Sequence, residues 1–322
     1  MKTAFIYPGQ GAQYTGMCRE FYEGYASVRD RFLEASKATG LDISGLCFSE
    51  GSELDLTQYT QPAMVCAGLA MTEVVKAELS RLGLEPELSA GLSLGEYAAI
   101  AEAGAMSFSD AVRLVYERGK LMAGAVPAGR GAMAAVLNPD EEALSKIIEE
   151  TEGAYIANYN SPAQTVITGY KEAVESAVAR LQEAGMKRCV MLNVSGPFHS
   201  PLLEEAGQKL GTVLEGVELS PLSHPYYANV DAGRVEDEQR IRELLVRQVS
   251  GSVCWRQTVE AMLSEGVTCF IEIGPGKTLS GFVSKTARAY AKDRGLDMSG
   301  LRIINIEKPE DLSKLQGLLE EA

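Results

Sequence analysis

The chain has 322 residues, 23% of them charged and 46% in the hydrophobic set, a balance that supports a large globular core and room for a main domain plus a smaller one. Thirty basic residues against 44 acidic ones leave a net charge of -14, which argues against nucleic acid as a partner. The longest apolar stretch, 63–71, is too short to span a bilayer, so no membrane segment is expected.

The N-terminal run Met1-Lys2-Thr3-Ala4-Phe5-Ile6-Tyr7-Pro8 lacks the apolar length of a signal peptide and reads as a first strand. Six cysteines, Cys18, Cys47, Cys66, Cys189, Cys254 and Cys269, form no CxxC pair and no Cys/His cluster. Free thiols in a reducing compartment follow, and with them a cytoplasmic location. The glycine-punctuated run Pro8-Gly9-Gln10-Gly11-Ala12-Gln13 is either a plain turn or a loop that brings backbone amides to the edge of a site. Phe21, Tyr25, Val28 and Phe32 then recur at helical spacing. Thr60-Gln61-Pro62 is expected to open a helix running to about Leu79, with Pro62 in its first turn.

At 87–90 a short strand leads into Gly91-Leu92-Ser93-Leu94-Gly95-Glu96-Tyr97, and the alanine-rich 97–103 reads as a helix. Strand, tight turn and helix around Gly-x-Ser-x-Gly form the pattern of a nucleophile elbow, in which flanking glycines let the backbone bend and leave the serine hydroxyl clear. Helix-start amides then point where an oxyanion would form. A chain of this size meets the five-residue pattern by chance often enough that Ser93 needs partners. A further helix, 109–122, is expected to carry Arg113, Arg118 and Lys120 on its surface.

From residue 132 the rhythm becomes strand (132–137), helix (140–150), strand (154–159), strand (164–168), helix (172–184) and strand (187–192). This βαββαβ order is ferredoxin-like and predicts a small domain at 127–196, inserted in a main domain made of 1–126 and 197–322. The main domain resumes around Ser195-Gly196-Pro197-Phe198-His199-Ser200. Beyond come a strand at 269–273, the turn Gly274-Pro275-Gly276, a helix, a strand at 302–304 and a closing helix from Pro309. The alternation predicts an α/β fold with a mostly parallel sheet covered on both faces.

A serine nucleophile needs a base, ordinarily histidine, and the chain has only two. His199, in a loop just after the small domain, is favoured over His224 in the turn Ser223-His224-Pro225. No acid stands out as a third member, and a Ser–His dyad whose ring is held by a backbone carbonyl is equally allowed. Arg118 is a solvated helix residue unless it faces the cleft, where its planar fork could hold a carboxylate. The loop 158–164, with Asn160 and Gln164, either lines the cleft from the small-domain side or is a turn between strands.

The runs Tyr7-Pro8-Gly9-Gln10-Gly11-Ala12-Gln13, Thr60-Gln61-Pro62-Ala63, Gly91-Leu92-Ser93-Leu94-Gly95-Glu96-Tyr97, Arg118-Gly119-Lys120, Gly131-Ala132-Met133, Asn158-Tyr159-Asn160-Ser161-Pro162, Gly196-Pro197-Phe198-His199-Ser200 and Glu272-Ile273-Gly274-Pro275-Gly276 together resemble the malonyl-CoA:acyl carrier protein transacylases over nearly the whole chain. The resemblance implies an α/β-hydrolase-like main domain with a ferredoxin-like insertion. It also implies Ser93 as nucleophile, His199 as base, the amides of Gln10 and Leu94 as oxyanion hole, and Arg118 as the holder of the malonyl carboxylate. Gln248 would orient the histidine through its backbone carbonyl. Leu94 and Phe198 match the versions that take malonyl rather than a branched unit, with Phe198 a further cleft residue. Two positions depart from the pattern: Leu92 stands where histidine is usual, and Ala12 where serine is common.

The activity so implied is transfer of malonyl from coenzyme A to the phosphopantetheine thiol of acyl carrier protein, for fatty acid or polyketide synthesis, by a monomer that needs no cofactor beyond its thioester substrates. Its rivals are a serine thioesterase or esterase and a silent carrier-docking module. Because the carrier in this family is acidic, docking on a local basic patch is expected, with Lys187, Arg188, Lys277, Lys285 and Arg288 as candidates.

Overall fold

The computed structural model describes residues 1–127, 129–194 and 196–318; Ser195, in the expected return to the main domain, lies outside them. Among the described residues, ten strands form two sheets. β1 (Lys2–Tyr7), β2 (Leu88–Gly91), β7 (Tyr226–Tyr227), β8 (Arg234–Val235), β9 (Val267–Ile273) and β10 (Arg302–Ile306) make the larger one, in the order β10-β9-β1-β2-β7-β8. All its pairings are parallel except that of β7 with β8. Period-2 alternation divides its side chains between two cores. Phe5 and Tyr7 pack with helices Thr57–Arg81 and Phe108–Gly124, while Ala4, Ile6, Leu88 and Ala90 pack with Trp255, Val259, Phe282 and Val283 on the other face. This is the covered parallel sheet expected of an α/β-hydrolase-like main domain.

The smaller sheet contains β3 (Gly131–Leu137), β4 (Ala154–Ser161), β5 (Gln164–Tyr170) and β6 (Cys189–Met191), ordered β4-β5-β3-β6 and antiparallel throughout. Helices Glu141–Glu149 and Lys171–Glu183 cover one face through Leu144, Ile148, Val174, Ala177 and Leu181. The expected βαββαβ order is therefore present. Met133 and Val166 point the other way, toward the larger sheet, and join its core. Their face becomes one wall of the cleft described below.

Two expectations need correction. The helix expected to open at Thr60-Gln61-Pro62 begins at Thr57, so Pro62 lies inside it. One intrahelical hydrogen bond is lost there, while Thr60 Oγ1, bonded to Leu54 O at 2.5 Å, secures the opening turn. Arg118 is not on the surface of its helix: it is 1% exposed, whereas Arg113 and Lys120 are exposed and paired with Asp110 and Glu117. The inward stripe of that helix runs Ala111, Val115, Arg118, Met122, at steps of four, three and four, the spacing of one helical face. Helices Glu204–Glu215, Ile241–Ser250 and Trp255–Ser264 and the strands β7 and β8 complete the stretch between 200 and 269, to which the sequence reading assigned no elements.

Candidate active site

β2 ends at Gly91 and the next helix, Gly95–Glu102, begins four residues later, so the chain reverses within three residues. A Cβ on Gly91 would lie 1.9 Å from the carbonyl carbon of Gly95, and one on Gly95 would lie 2.1 Å from Tyr7 O. Only glycine permits both approaches. Ser93 sits at the apex with φ of 51°, a conformation that costs a non-glycine residue on the order of 1–3 kcal/mol and persists only when its surroundings enforce it. Asn229 and Gln248 do so. Ser93 N donates to Asn229 Oδ1 at 2.6 Å, Asn229 Nδ2 donates to Gly91 O at 2.7 Å, and Gln248 Nε2 donates to Ser93 O at 2.8 Å.

The hydroxyl so presented lies 2.7 Å from His199 Nε2. On the far side of the ring, Nδ1 lies 3.0 Å from Gln248 O and 3.2 Å from Gly251 O. Carbonyl oxygens only accept, so Nδ1 carries the hydrogen and Nε2 is left as the acceptor facing Ser93. No carboxylate is needed to set the tautomer. Burial, and then the positive charge of Arg118, depress the His199 pKa to about 4, which keeps the ring neutral and able to take a proton at pH 7. His224, the other histidine, is bonded to Glu102 Oε2 at 3.0 Å and does not line the cleft.

Arg118 enters from the helix Phe108–Gly124. Its Nη1 donates to Gln61 Oε1 at 2.9 Å, and its Nη2 donates to Gln248 Oε1 at 3.0 Å and to Ser93 Oγ at 3.2 Å. The guanidinium also lies over the Tyr97 ring, 5.2 Å from its centroid. All of these partners are neutral, and Arg118 Nε is buried with no partner among the described residues. Burial pulls the Arg118 pKa below its ordinary value. Among the described residues no carboxylate is hydrogen-bonded to the guanidinium, and a buried cation so placed favours an anionic ligand.

Ser93, His199 and Arg118 open onto one cleft of about 640 Å³ between the two sheets. Gly9, Gln10 and Leu92 form its wall on the large-sheet side, and Met133, Asn160 and Val166 form the opposite one. Phe198 lines it beside the histidine. Among the described residues neither the Gln10 amide nor the Leu94 amide makes a hydrogen bond, so both remain available as donors. The Leu94 side chain is 1% exposed and lies in the core beneath the helix start, so it is not a cleft wall. Gln164 does not line the cleft either; its Oε1 accepts from Asn160 Nδ2 at 2.8 Å and fixes the side chain that does. Asn160 Oδ1 is buried with no partner among the described residues. Leu92, where histidine was expected from the family pattern, faces the cleft as an apolar side chain.

Gln61, Asn229 and Glu96 were not singled out from the sequence, yet each holds part of this arrangement. Glu96 is fully buried, and its Oε2 accepts from Gln248 Nε2 at 2.7 Å and from Asn229 N at 3.2 Å. Gln61 stood in a motif quoted above. Asn229 carried no signal of its own.

Fold and site together define a class: α/β proteins in which a serine at a strand–helix elbow is hydrogen-bonded to a histidine beside a buried cation. Residues 4–313 match the family model of the acyl transferase domain. The chain is 41% identical to the malonyl CoA-acyl carrier protein transacylase of Bacillus subtilis, with 99% of this chain and 98% of that protein aligned. Among solved structures, malonyl CoA-acyl carrier protein transacylase from Clostridium perfringens superimposes with a TM-score of 0.90 at 38% identity, covering 100% of this chain and 98% of that one. A malonyl-transacylase solved in complex with its type II PKS acyl-carrier protein matches with a TM-score of 0.89 at 36% identity, covering 99% and 100%. The chain belongs to the malonyl CoA-acyl carrier protein transacylase family.

Proposed function

We propose that this chain is a serine acyltransferase that moves a malonyl group from coenzyme A to the phosphopantetheine thiol of an acyl carrier protein, in fatty acid or polyketide synthesis. The observation that carries the reading is the buried Arg118 guanidinium. It meets only neutral partners and lies 3.2 Å from Ser93 Oγ, so an acyl group ending in a carboxylate supplies the missing countercharge beside the attacking atom.

His199 Nε2 takes the Ser93 proton as Oγ attacks the thioester carbonyl. The amides of Gln10 and Leu94 donate to the resulting oxyanion, each contributing about 2.7–4 kcal/mol to the transition state. The C–S bond breaks, and the departing sulfur takes the proton from His199 as coenzyme A leaves. The carrier's thiol then gives its proton to His199 and attacks the malonyl ester, and Ser93 Oγ recovers the proton. Both half-reactions balance with these groups and the two thiols, so no cofactor is required.

Ser93, His199 and Arg118 suffice for the proposed steps without a residue from a second copy. Six free cysteines support a cytoplasmic location. We take 127–196 as a small domain inserted between 1–126 and 197–322, because β3 to β6 form their own sheet and touch the main domain's backbone through the bridge between Asn158 and Val253.

Radiolabelled malonyl-CoA incubated with purified carrier protein tests the activity. Label on the carrier is the expected result. Free malonate without carrier labelling would instead make the protein a thioesterase, and no covalent acyl-protein would make it a docking module.

A further inference from the structure

Glu96 follows the elbow directly, and no step of the reaction uses it. Its surroundings are nonetheless specific. The Gln248 side-chain amide faces three groups: Ser93 O at 2.8 Å and Glu96 Oε2 at 2.7 Å from Nε2, and Arg118 Nη2 at 3.0 Å from Oε1. A backbone carbonyl and a carboxyl oxygen accept, whereas a guanidinium only donates. Turning the amide over would set its NH2 against the guanidinium and its oxygen against two oxygens. We propose that Glu96 is a positioning residue that locks the Gln248 amide with its oxygen toward Arg118, and so sets the preference for acyl groups ending in a carboxylate. The proposal rests on the malonyl-transfer reading and deepens it.

Burial supports the same role. Glu96 has no exposed surface, and desolvation lifts its pKa to about 8, so near neutrality it is largely the neutral acid. A protonated carboxyl still accepts at Oε2, with its hydrogen on Oε1, the oxygen that has no partner among the described residues. What Gln248 needs from position 96 is an acceptor at that point rather than a negative charge. A carboxamide provides one; a thioether of similar length does not.

The test compares kcat/KM for malonyl-CoA and acetyl-CoA in Glu96→Met, Glu96→Gln, Gln248→Met and the double variant Glu96→Met/Gln248→Met. Glu96→Met is expected to lower the malonyl-to-acetyl ratio by about tenfold or more, chiefly through a higher KM for malonyl-CoA. Glu96→Gln should keep the ratio within roughly threefold of the parent, and the double variant should be no less selective than Gln248→Met alone. Equal losses with both donors, a Glu96→Gln variant as impaired as Glu96→Met, or additive effects in the double variant would each overturn the proposal. If Glu96→Met does not fold, Gln248→Met removes the same link from its other end while keeping the carbonyl that holds His199, and an unchanged ratio there overturns it equally. A parent protein that transfers no malonyl would sink the underlying reading instead, which separates the two failures.

Discussion

Arg118 Nη2 and Ser93 Oγ stand 3.2 Å apart, so the cation sits beside the atom that attacks, in the same cleft. Arg118→Ala is therefore expected to weaken malonyl transfer and spare acetyl transfer. A charge-assisted hydrogen bond contributes about 1.5–3 kcal/mol, or roughly ten- to a hundredfold in kcat/KM. Steady-state rates with the two donors check it, and equal loss with both would remove Arg118 from carboxylate recognition.

Among the described residues, Ser93 Oγ is the one hydroxyl hydrogen-bonded to His199 Nε2. Mixing the protein with malonyl-CoA should yield a malonyl adduct visible by mass spectrometry and located on Ser93. Ser93→Ala should form no adduct and lose on the order of 10⁶-fold in turnover. An adduct that survives the substitution would place the chemistry on another side chain.

The pH profile follows from the His199 environment. Burial first, and the Arg118 charge second, hold its pKa down to about 4. The base is neutral above that value, so the acid limb of acetyl transfer should fall near pH 4 rather than near 6.5. Arg118→Met removes the second cause and should move the limb upward, toward the ordinary histidine value but short of it. The same depression bears on stability. The unfolded chain binds the proton more readily, so this contribution is fully present above about pH 6.5 and is lost as pH falls toward 4. An acid limb that stays in place in Arg118→Met would count against the charge as a cause.

The expected docking of the carrier on basic residues is a matter of charge. Lys187, Arg188, Lys277, Lys285 and Arg288 are exposed on a chain of net charge -14, and none forms an ion pair among the described residues. Charge reversal at Lys285 and Arg288 should raise KM for the carrier several-fold and leave KM for malonyl-CoA unaltered. Added salt should reproduce the effect in the parent as the screening length drops below about 10 Å. Transfer to the carrier that is indifferent to salt would dismiss the patch.

The elbow makes a prediction about folding. A methyl group on Gly95 would meet Tyr7 O at 2.1 Å, backbone against side chain with no flexible atom to yield. Gly95→Ala should destabilise the protein by about 1–3 kcal/mol or more, whereas Gly281→Ala, with nothing within 4 Å of the added carbon, should not. Urea unfolding of the two variants compares them directly.

Legibility followed sequence separation. The elbow was readable because strand, glycines and serine lie within one short stretch, and so was the βαββαβ order, because each of its strands and helices carries its own short-range periodicity. Arg118 was readable in principle: its place in the stripe of Ala111, Val115 and Met122 marks it as inward-facing, yet its charge suggested a surface position. Gln248 entered only through the family resemblance. Its bonds to Ser93, Glu96 and Arg118 span 155, 152 and 130 residues, and no local pattern encodes such contacts.

The amino-acid order alone determined the strand–turn–helix around Ser93, the ferredoxin-like insertion and the two histidines from which a base had to come, because these follow from backbone sterics and short-range periodicity. Which histidine reaches the serine, that carbonyls rather than an acid hold its ring, and that a helix arginine is buried beside the hydroxyl were decided by tertiary structure. Parallel pairing sets Ala4 of β1 between Leu88 of β2 and Phe270 of β9, and so carries segments far apart in the chain to one end of a sheet. Only there do burial and hydrogen bonding give those side chains their charge state and direction.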